Sequence, residues 1–137
     1  MGHTTNIYGI ISIPVHKDID YLWAENLKII ESLNDDDYPQ ITHKMFSKDF
    51  QPGWDERHIH FAVNYKNLEF SHLQSWVDKF EGILSQLMWL SAKAYIETDL
   101  SGDFNISWNI DIELLKSWTT HHWTPTTKWN TDGLQKK

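Results

Sequence analysis

The stretch from Ser71 to Leu90 constrains the fold of this chain more than any other, because its apolar residues recur at helical spacing. Ser71, with Gln74 three residues later, predicts an N-cap and its capping-box partner at the start of a helix. An apolar stripe this broad needs a sheet to cover it, and β-rich segments lie on both sides of the stretch. The stripe consists of Leu73, Trp76, Val77, Phe80, Ile83, Leu84 and Leu87.

The segments around this helix predict a sheet of alternating strands and one more main helix. Along Arg57 to Tyr65, Ile59 and Phe61 fall on one face, whereas His58 and His60 fall on the other. Strands are predicted at Asn6–Val15, Gln40–Phe46, Arg57–Tyr65, Ala92–Asp99 and Phe104–Ile110, with helices from Asp18 or Asp20 to about Asn34 and at Asp111–Trp118.

The resulting order, β-α-β-β-α-β-β-α, determines the fold class that we expect. Its first six elements are the pattern of a ferredoxin-like α+β sandwich, in which an antiparallel sheet carries two main helices on one face. An extra C-terminal strand and a short helix follow this pattern. We therefore expect a single α+β domain over residues 1–137, with an irregular tail from about residue 119 whose last few residues are mobile.

The absence of cysteine excludes disulfides, thiolate catalysis and cysteine-ligated zinc. No glycine-rich loop follows the first predicted strand, and neither Ser12 nor Ser107 lies in a nucleophile-elbow motif. No apolar run approaches the roughly 18 residues of a membrane span, and the N-terminus lacks the pattern of a signal peptide. We expect a cytoplasmic protein with no cofactor and no membrane partner, and we favour a non-catalytic role over an enzyme.

The net charge of −7 is concentrated in the first part of the chain. Residues 1–56 contain ten acidic residues and four lysines, whereas residues 57–137 contain nine acidic and eight basic residues. This distribution argues against nucleic acid as a partner, because nucleic-acid binding needs a basic patch. It is compatible with a basic protein partner, since complementary charge speeds encounter. A solvated surface that maintains solubility is the alternative.

His58 and His60 are the candidate metal ligands, because residues two apart on a strand project from the same face. Asp55 or Glu56 would supply a carboxylate, and a third histidine would come from position 43, 121 or 122. The alternative is that both histidines line the polar face of a half-exposed strand. A run of three aspartates, Asp35, Asp36 and Asp37, precedes Pro39 and has the composition of a solvated acidic turn.

Eight tryptophans are unusual for a chain of 137 residues. Trp23, Trp76 and Trp108 fall on predicted core faces and are expected to be structural. Trp54 and Trp123 lie in segments without periodicity, as do positions 118 and 129. Such side chains would pack over the open face of the sheet, form a sugar-stacking surface, or serve as anchors for a protein partner.

The βαβ-type start, the long amphipathic helix and the hairpin followed by Asp111–Leu115 are similar to small bacterial α+β proteins of unassigned function, several encoded beside toxin genes. The size, acidity and lack of a catalytic signature resemble immunity proteins of polymorphic and contact-dependent toxin systems. This resemblance implies an inhibitor that neutralises a basic toxin domain.

The acidic first part of the chain is the contact surface that we expect for such a partner. Its predicted residues are Asp35, Asp36, Asp37, Trp54, Asp55, Glu56 and Trp123. Two alternatives stay open. One is a small enzyme or ligand-binding domain that uses the open sheet face, with His58 and His60 as polar groups or metal ligands. The other is a structural or oligomerising domain.

Overall fold

The computed structural model describes residues 3–13, 19–47, 57–99, 102–111, 125–126 and 128–137. Two α-helices and a mainly antiparallel set of strands make up these parts of the chain. The strands are β1 (Thr4–Ile13), β2 (Phe46–Ser47), β3 (Arg57–Lys66), β4 (Ser91–Thr98), β5 (Gly102–Ile110), β6 (Trp129–Thr131) and β7 (Gln135–Lys136); the helices are α1 (Ile19–Glu31) and α2 (Phe70–Leu84), with a 3₁₀ turn at His43–Met45.

All seven described strands belong to one sheet, and every pairing between them is antiparallel. The spatial order is β2-β3-β1-β4-β5-β6, and β7 also pairs with β5. The long strand β1 lies in the middle and pairs with β3 from Thr4 opposite Lys66 to Ile13 opposite Arg57. The α+β class with an antiparallel sheet and two helices is therefore confirmed.

One face of the sheet forms the core, as the alternation of apolar residues predicts. On this face Phe61 of β3 contacts two aromatic rings of α2, with its ring centre 6.2 Å from that of Trp76 and 4.9 Å from that of Phe80. Phe80 also lies 5.0 Å from Trp108 of β5. Trp23, Trp76 and Trp108 are buried, which confirms their predicted structural role.

Gly9 allows the closest approach in the sheet. A Cβ atom at this position would lie 2.0 Å from the carbonyl oxygen of Lys93 and 2.6 Å from the Phe61 ring. No side chain fits there, because the nearest obstacle is the backbone of the neighbouring strand rather than a flexible group.

The bounds of α2 differ from the prediction at both ends. Its N-cap is Glu69, whose side chain accepts a hydrogen bond from the backbone of His72 while the His72 ring accepts one from the backbone of Glu69. The predicted cap, Ser71, lies inside the helix. The helix ends at Leu84, and the Trp89 indole donates to the carbonyl of Leu84 at 2.8 Å. Residues 85–90 form an irregular segment, and its apolar residues Leu87, Met88 and Trp89 are buried in the core.

Two other predictions were wrong in part. The segment Gln40–Phe46 is a strand only at its end, since His43–Met45 forms a 3₁₀ turn. The tail is not irregular throughout, because β6 and β7 lie within it and pair with β5. The predicted short helix falls mostly on residues 112–118, which lie outside the described residues. Neither described helix has the length and apolar character that a membrane span requires.

Candidate functional site

The acidic turn, here residues Asn34 to Gln40, lies after α1. One lysine of α2 holds it against that helix. The Nζ atom of Lys79 forms an ion pair with Asp35 at 2.7 Å. The same ammonium group donates to the carbonyl oxygens of Asp37 at 2.6 Å and Pro39 at 3.2 Å. A lysine has three N–H donors, so Lys79 uses its full capacity on this turn.

Within the turn the three aspartates have different environments. Asp35 is half-buried and also accepts a hydrogen bond from the backbone N–H of Asp37 at 3.0 Å. The hydrogen bond from Lys79 lowers the pKa of Asp35 below its ordinary value. Asp36 and Asp37 have exposed side chains. Of the three aspartates in the turn, Asp36 and Asp37 therefore face solvent, while Asp35 stabilises the turn.

Two tyrosines connect the acidic turn to β3. The Tyr38 hydroxyl donates to the carbonyl oxygen of Lys66 at 2.6 Å, and the Tyr65 hydroxyl donates to that of Gln40 at 2.5 Å. Burial raises the pKa of Tyr65 well above its ordinary value, so its hydroxyl stays protonated and able to donate. The Tyr38 ring meets Tyr65 and His72 edge-on, yet Tyr38 remains 42% exposed.

The other predicted contact residues are not placed beside this turn. Trp54, Asp55, Glu56 and Trp123 all lie outside the described residues. The first part of the chain thus contributes Asp35, Asp36 and Asp37 to the described acidic surface, together with Tyr38. The sequence did not single out Tyr38 or Lys79; the only signal for them was a tyrosine beside the acidic run and a lysine on the polar face of α2.

The face of the sheet opposite the core, here called the open face, carries His58 and His60. Their ring centres are 6.3 Å apart, and the two side chains project from the same face of β3 as predicted. The Ser12 hydroxyl lies 3.1 Å from His58 Nδ1, which fixes one side of that ring. Among the described residues no group of three or more His, Cys, Asp or Glu side chains is placed to hold a metal ion.

Three shallow hollows also lie on the open face. One of about 500 Å³ surrounds Tyr8, whose hydroxyl donates to Glu97 and whose ring stacks on Tyr95 at 5.5 Å. Another of about 300 Å³ contains Lys93, and an adjoining one of about 450 Å³ contains Asp132. Each hollow is lined by both apolar and polar groups, and its polar side chains can form hydrogen bonds with a ligand.

Comparison of the chain with known proteins identified no relative. The chain matches no protein-family model, no curated protein and no solved structure.

Proposed function

We propose that this protein is an acidic protein-binding module, an immunity-type inhibitor that neutralises a basic toxin domain through its acidic turn. The observation that carries this proposal is the attachment of the turn by Lys79, which leaves Asp36 and Asp37 exposed beside Tyr38. The remaining predicted contacts, Trp54, Asp55, Glu56 and Trp123, belong to the same proposal.

A turn fixed in this way suits recognition for a physical reason. Binding costs less conformational entropy when the contact residues are already ordered, so a pre-organised turn yields more net affinity than a mobile one. Exposed carboxylates attract a basic partner and speed encounter. A half-exposed tyrosine beside them supplies the kind of side chain that dominates interface energetics.

The ferredoxin-like arrangement forms part of the proposal for the fold. It is supported by the order β2-β3-β1-β4, in which two β-α-β units interleave so that β1 and β3 are the central pair. Strands β5, β6 and β7 would then be additions to the β4 side of that sandwich.

The test is a charge reversal on the acidic turn. The partner is first captured at low salt from a lysate of the source cells, identified, purified, and assayed for a toxic activity that the protein suppresses. D36K/D37K is then compared with E25K/D103K in calorimetric titrations. Both double variants have the same net charge, and both change side chains whose loss leaves the core intact.

We expect D36K/D37K to weaken binding at least tenfold, since each lost charge pair in an interface is worth about 1 kcal/mol or more. E25K/D103K should bind nearly as the wild type does. Equal weakening in the two variants would show that the net charge of the protein, and not the acidic turn, determines binding. Unchanged binding in D36K/D37K would mean that the interface lies elsewhere on the protein. A protein without any suppressible toxic partner would contradict the inhibitor role itself.

A further inference from the structure

The Lys93 hollow is the depression on the open face lined by Ile10, Ser91, Ala92, Lys93, Ser107 and Asn109. It lies across β1, β4 and β5 and has a volume of about 300 Å³. The adjoining depression shares Ser107 and Asn109 and continues over β6, where Asn130, Thr131 and Asp132 line it. Together they form a continuous surface with apolar and polar lining, of the size that small ligands occupy, from roughly 300 to 1,000 Å³.

The polar side chains of this hollow have no hydrogen-bonding partner among the described residues. Those of Ser91, Lys93, Ser107 and Asn109 make no hydrogen bond or ion pair within the described part of the chain. Lys93 has only a distant position over the Tyr95 ring, with 6.0 Å between its Nζ atom and the ring centre. Ser91 and Ser107 are half-buried, and both belong to paired strands of the sheet, which fixes the positions of their backbones.

The opposite end of the same face shows the contrast. There Asn64 donates to the side chain of Asn6, and the Tyr8 hydroxyl donates to Glu97 at 2.5 Å. Polar side chains that satisfy one another offer little to a ligand, because each new hydrogen bond replaces an existing one. Unused donors on adjacent strands, at fixed spacing, offer new hydrogen bonds at small conformational cost.

Charge defines the ligand. Lys93 is the charged side chain that lines the first hollow, so an anionic group fits there. In the adjoining hollow Asp132 uses one carboxylate oxygen, Oδ1, to accept the N–H of Ser107 at 3.1 Å. A carboxylate beside amide groups repels an anion but accepts hydrogen bonds from hydroxyl groups. The surface therefore has an anion-binding half and a hydroxyl-binding half.

We propose that this surface binds a sugar phosphate. The phosphate lies against Lys93 and receives the hydroxyl hydrogen of Ser91, while the sugar hydroxyls bind Ser107, Asn109, Asn130 and Asp132. Oriented hydroxyl donors and a lysine are common phosphate ligands, since both form charge-assisted hydrogen bonds. This binding activity is independent of the acidic turn, which lies on other elements.

The test uses glucose 6-phosphate, inorganic phosphate and glucose as probes, each titrated into ¹⁵N-labelled protein and followed by amide NMR shifts. Wild type is compared with K93Q and with K66Q. Lys66 is a matched control because it is an exposed lysine on the open face of the same sheet, at the distant end of β3.

We expect glucose 6-phosphate to shift the amides of Ser91, Lys93, Ser107 and Asn109. K93Q should weaken its binding at least about tenfold, because a hydrogen bond to a charged group is worth about 1.5–3 kcal/mol, and K66Q should leave it unchanged. Inorganic phosphate should bind more weakly at the same amides.

Four results would overturn the assignment. If glucose bound as tightly as glucose 6-phosphate, Lys93 would not contribute to binding. If inorganic phosphate bound as tightly as glucose 6-phosphate, the residues assigned to the sugar would not contribute. Equal loss in K66Q and K93Q would mean general charge attraction. The absence of shifts at the hollow would mean that it holds no such ligand.

Discussion

Asn26 is a polar side chain buried to 1% exposure, and it holds α1 in place. Its Nδ2 atom donates to the carbonyl of Met88, and its Oδ1 atom accepts the N–H of Met88, both at 2.8 Å. The side chain thus reproduces the pairing that a neighbouring strand would offer to the backbone. The irregular segment after α2 depends on this pair because it has no strand partner at that point.

We expect N26A to lower the free energy of unfolding by about 3 kcal/mol, since it leaves both the N–H and the C=O of Met88 buried without partners. Urea unfolding followed by tryptophan fluorescence measures the change. S32A is the control, because Ser32 is exposed just after α1 and its hydroxyl donates to the nearby carbonyl of Ile29, and it should change the value by less than about 0.5 kcal/mol. A similar small change in N26A would contradict the structural role of Asn26.

Asp35 predicts a pH dependence whose sign follows from its lowered pKa. The folded-state pKa lies below the unfolded value of about 3.9, so the carboxylate stabilises the fold above that value, and the contribution disappears as the pH falls through the folded-state pKa. D35N should therefore be less stable than wild type at neutral pH, and the two should converge as the pH falls through the lowered folded-state pKa of Asp35. Urea unfolding at several pH values checks this.

D36N serves as the control for that pH series, since Asp36 is exposed. Its stability should follow the wild-type curve throughout. If the difference in stability between D35N and wild type stayed the same at acidic pH, the charge of Asp35 would not be its cause. The shape of the side chain would then explain the difference.

At the scale of elements, two glycines illustrate opposite demands. Gly9 in β1 has no room for a methyl group, whereas a Cβ at Gly82 in α2 would meet nothing within 4 Å. We expect G9A to destabilise the protein by about 3 kcal/mol, because the Lys93 carbonyl cannot move aside without separating β1 from β4.

The matched variant G82A should instead stabilise the protein by up to about 1 kcal/mol, because alanine has the higher helix propensity. Thermal unfolding of both variants tests the pair. Equal effects of the two substitutions, in either direction, would contradict the packing described at Gly9.

The strands were predictable from the sequence to the extent that one face of each is apolar. In β3 and β5 the alternation gave the buried face, as Ile59, Phe61, Ile106 and Trp108 show, although β3 ends one residue later and β5 begins two residues earlier than predicted. The end of α2 was not predictable, because Leu87 continues the helical spacing although it lies beyond the helix. The hydrogen-bonded pair of Asn26 and Met88 contributes to the end of the helix, and these two residues are 62 positions apart in the sequence.

At the scale of the whole molecule, the candidate sites combine distant parts of the chain. The acidic run was recognisable in the sequence, but its contact with Lys79 joins residues more than forty positions apart. The Lys93 hollow was not recognisable, because it depends on the pairing of β1, β4 and β5, and the adjoining depression also needs β6. The three-residue strand β6 is too short to produce a periodic signal.

The strands β6 and β7 cover the outer edge of β5, and their removal should change the behaviour of the whole molecule. A chain lacking residues 129–137 should associate with itself, because an unpaired edge strand is a template for pairing with another chain. It also loses the packing of Trp129 on Trp89. Light scattering after size-exclusion chromatography measures the effect.

The control for this truncation is K136Q/K137Q, which keeps both strands and removes only two surface charges. It should keep the mass distribution of the wild type. Truncated chains that retained this distribution would show that β6 and β7 do not protect the edge.

The position of β6 and β7 also sets an order of events during synthesis. A ribosome produces the chain from its N-terminus, so β5 leaves it before the strands that cover its outer edge. At the opposite edge of the sheet the covering strand is made first, since β2 is synthesised before its partner β3. The outer edge of β5 is therefore open to pairing with a neighbour on the same message in the interval between the synthesis of β5 and that of β7.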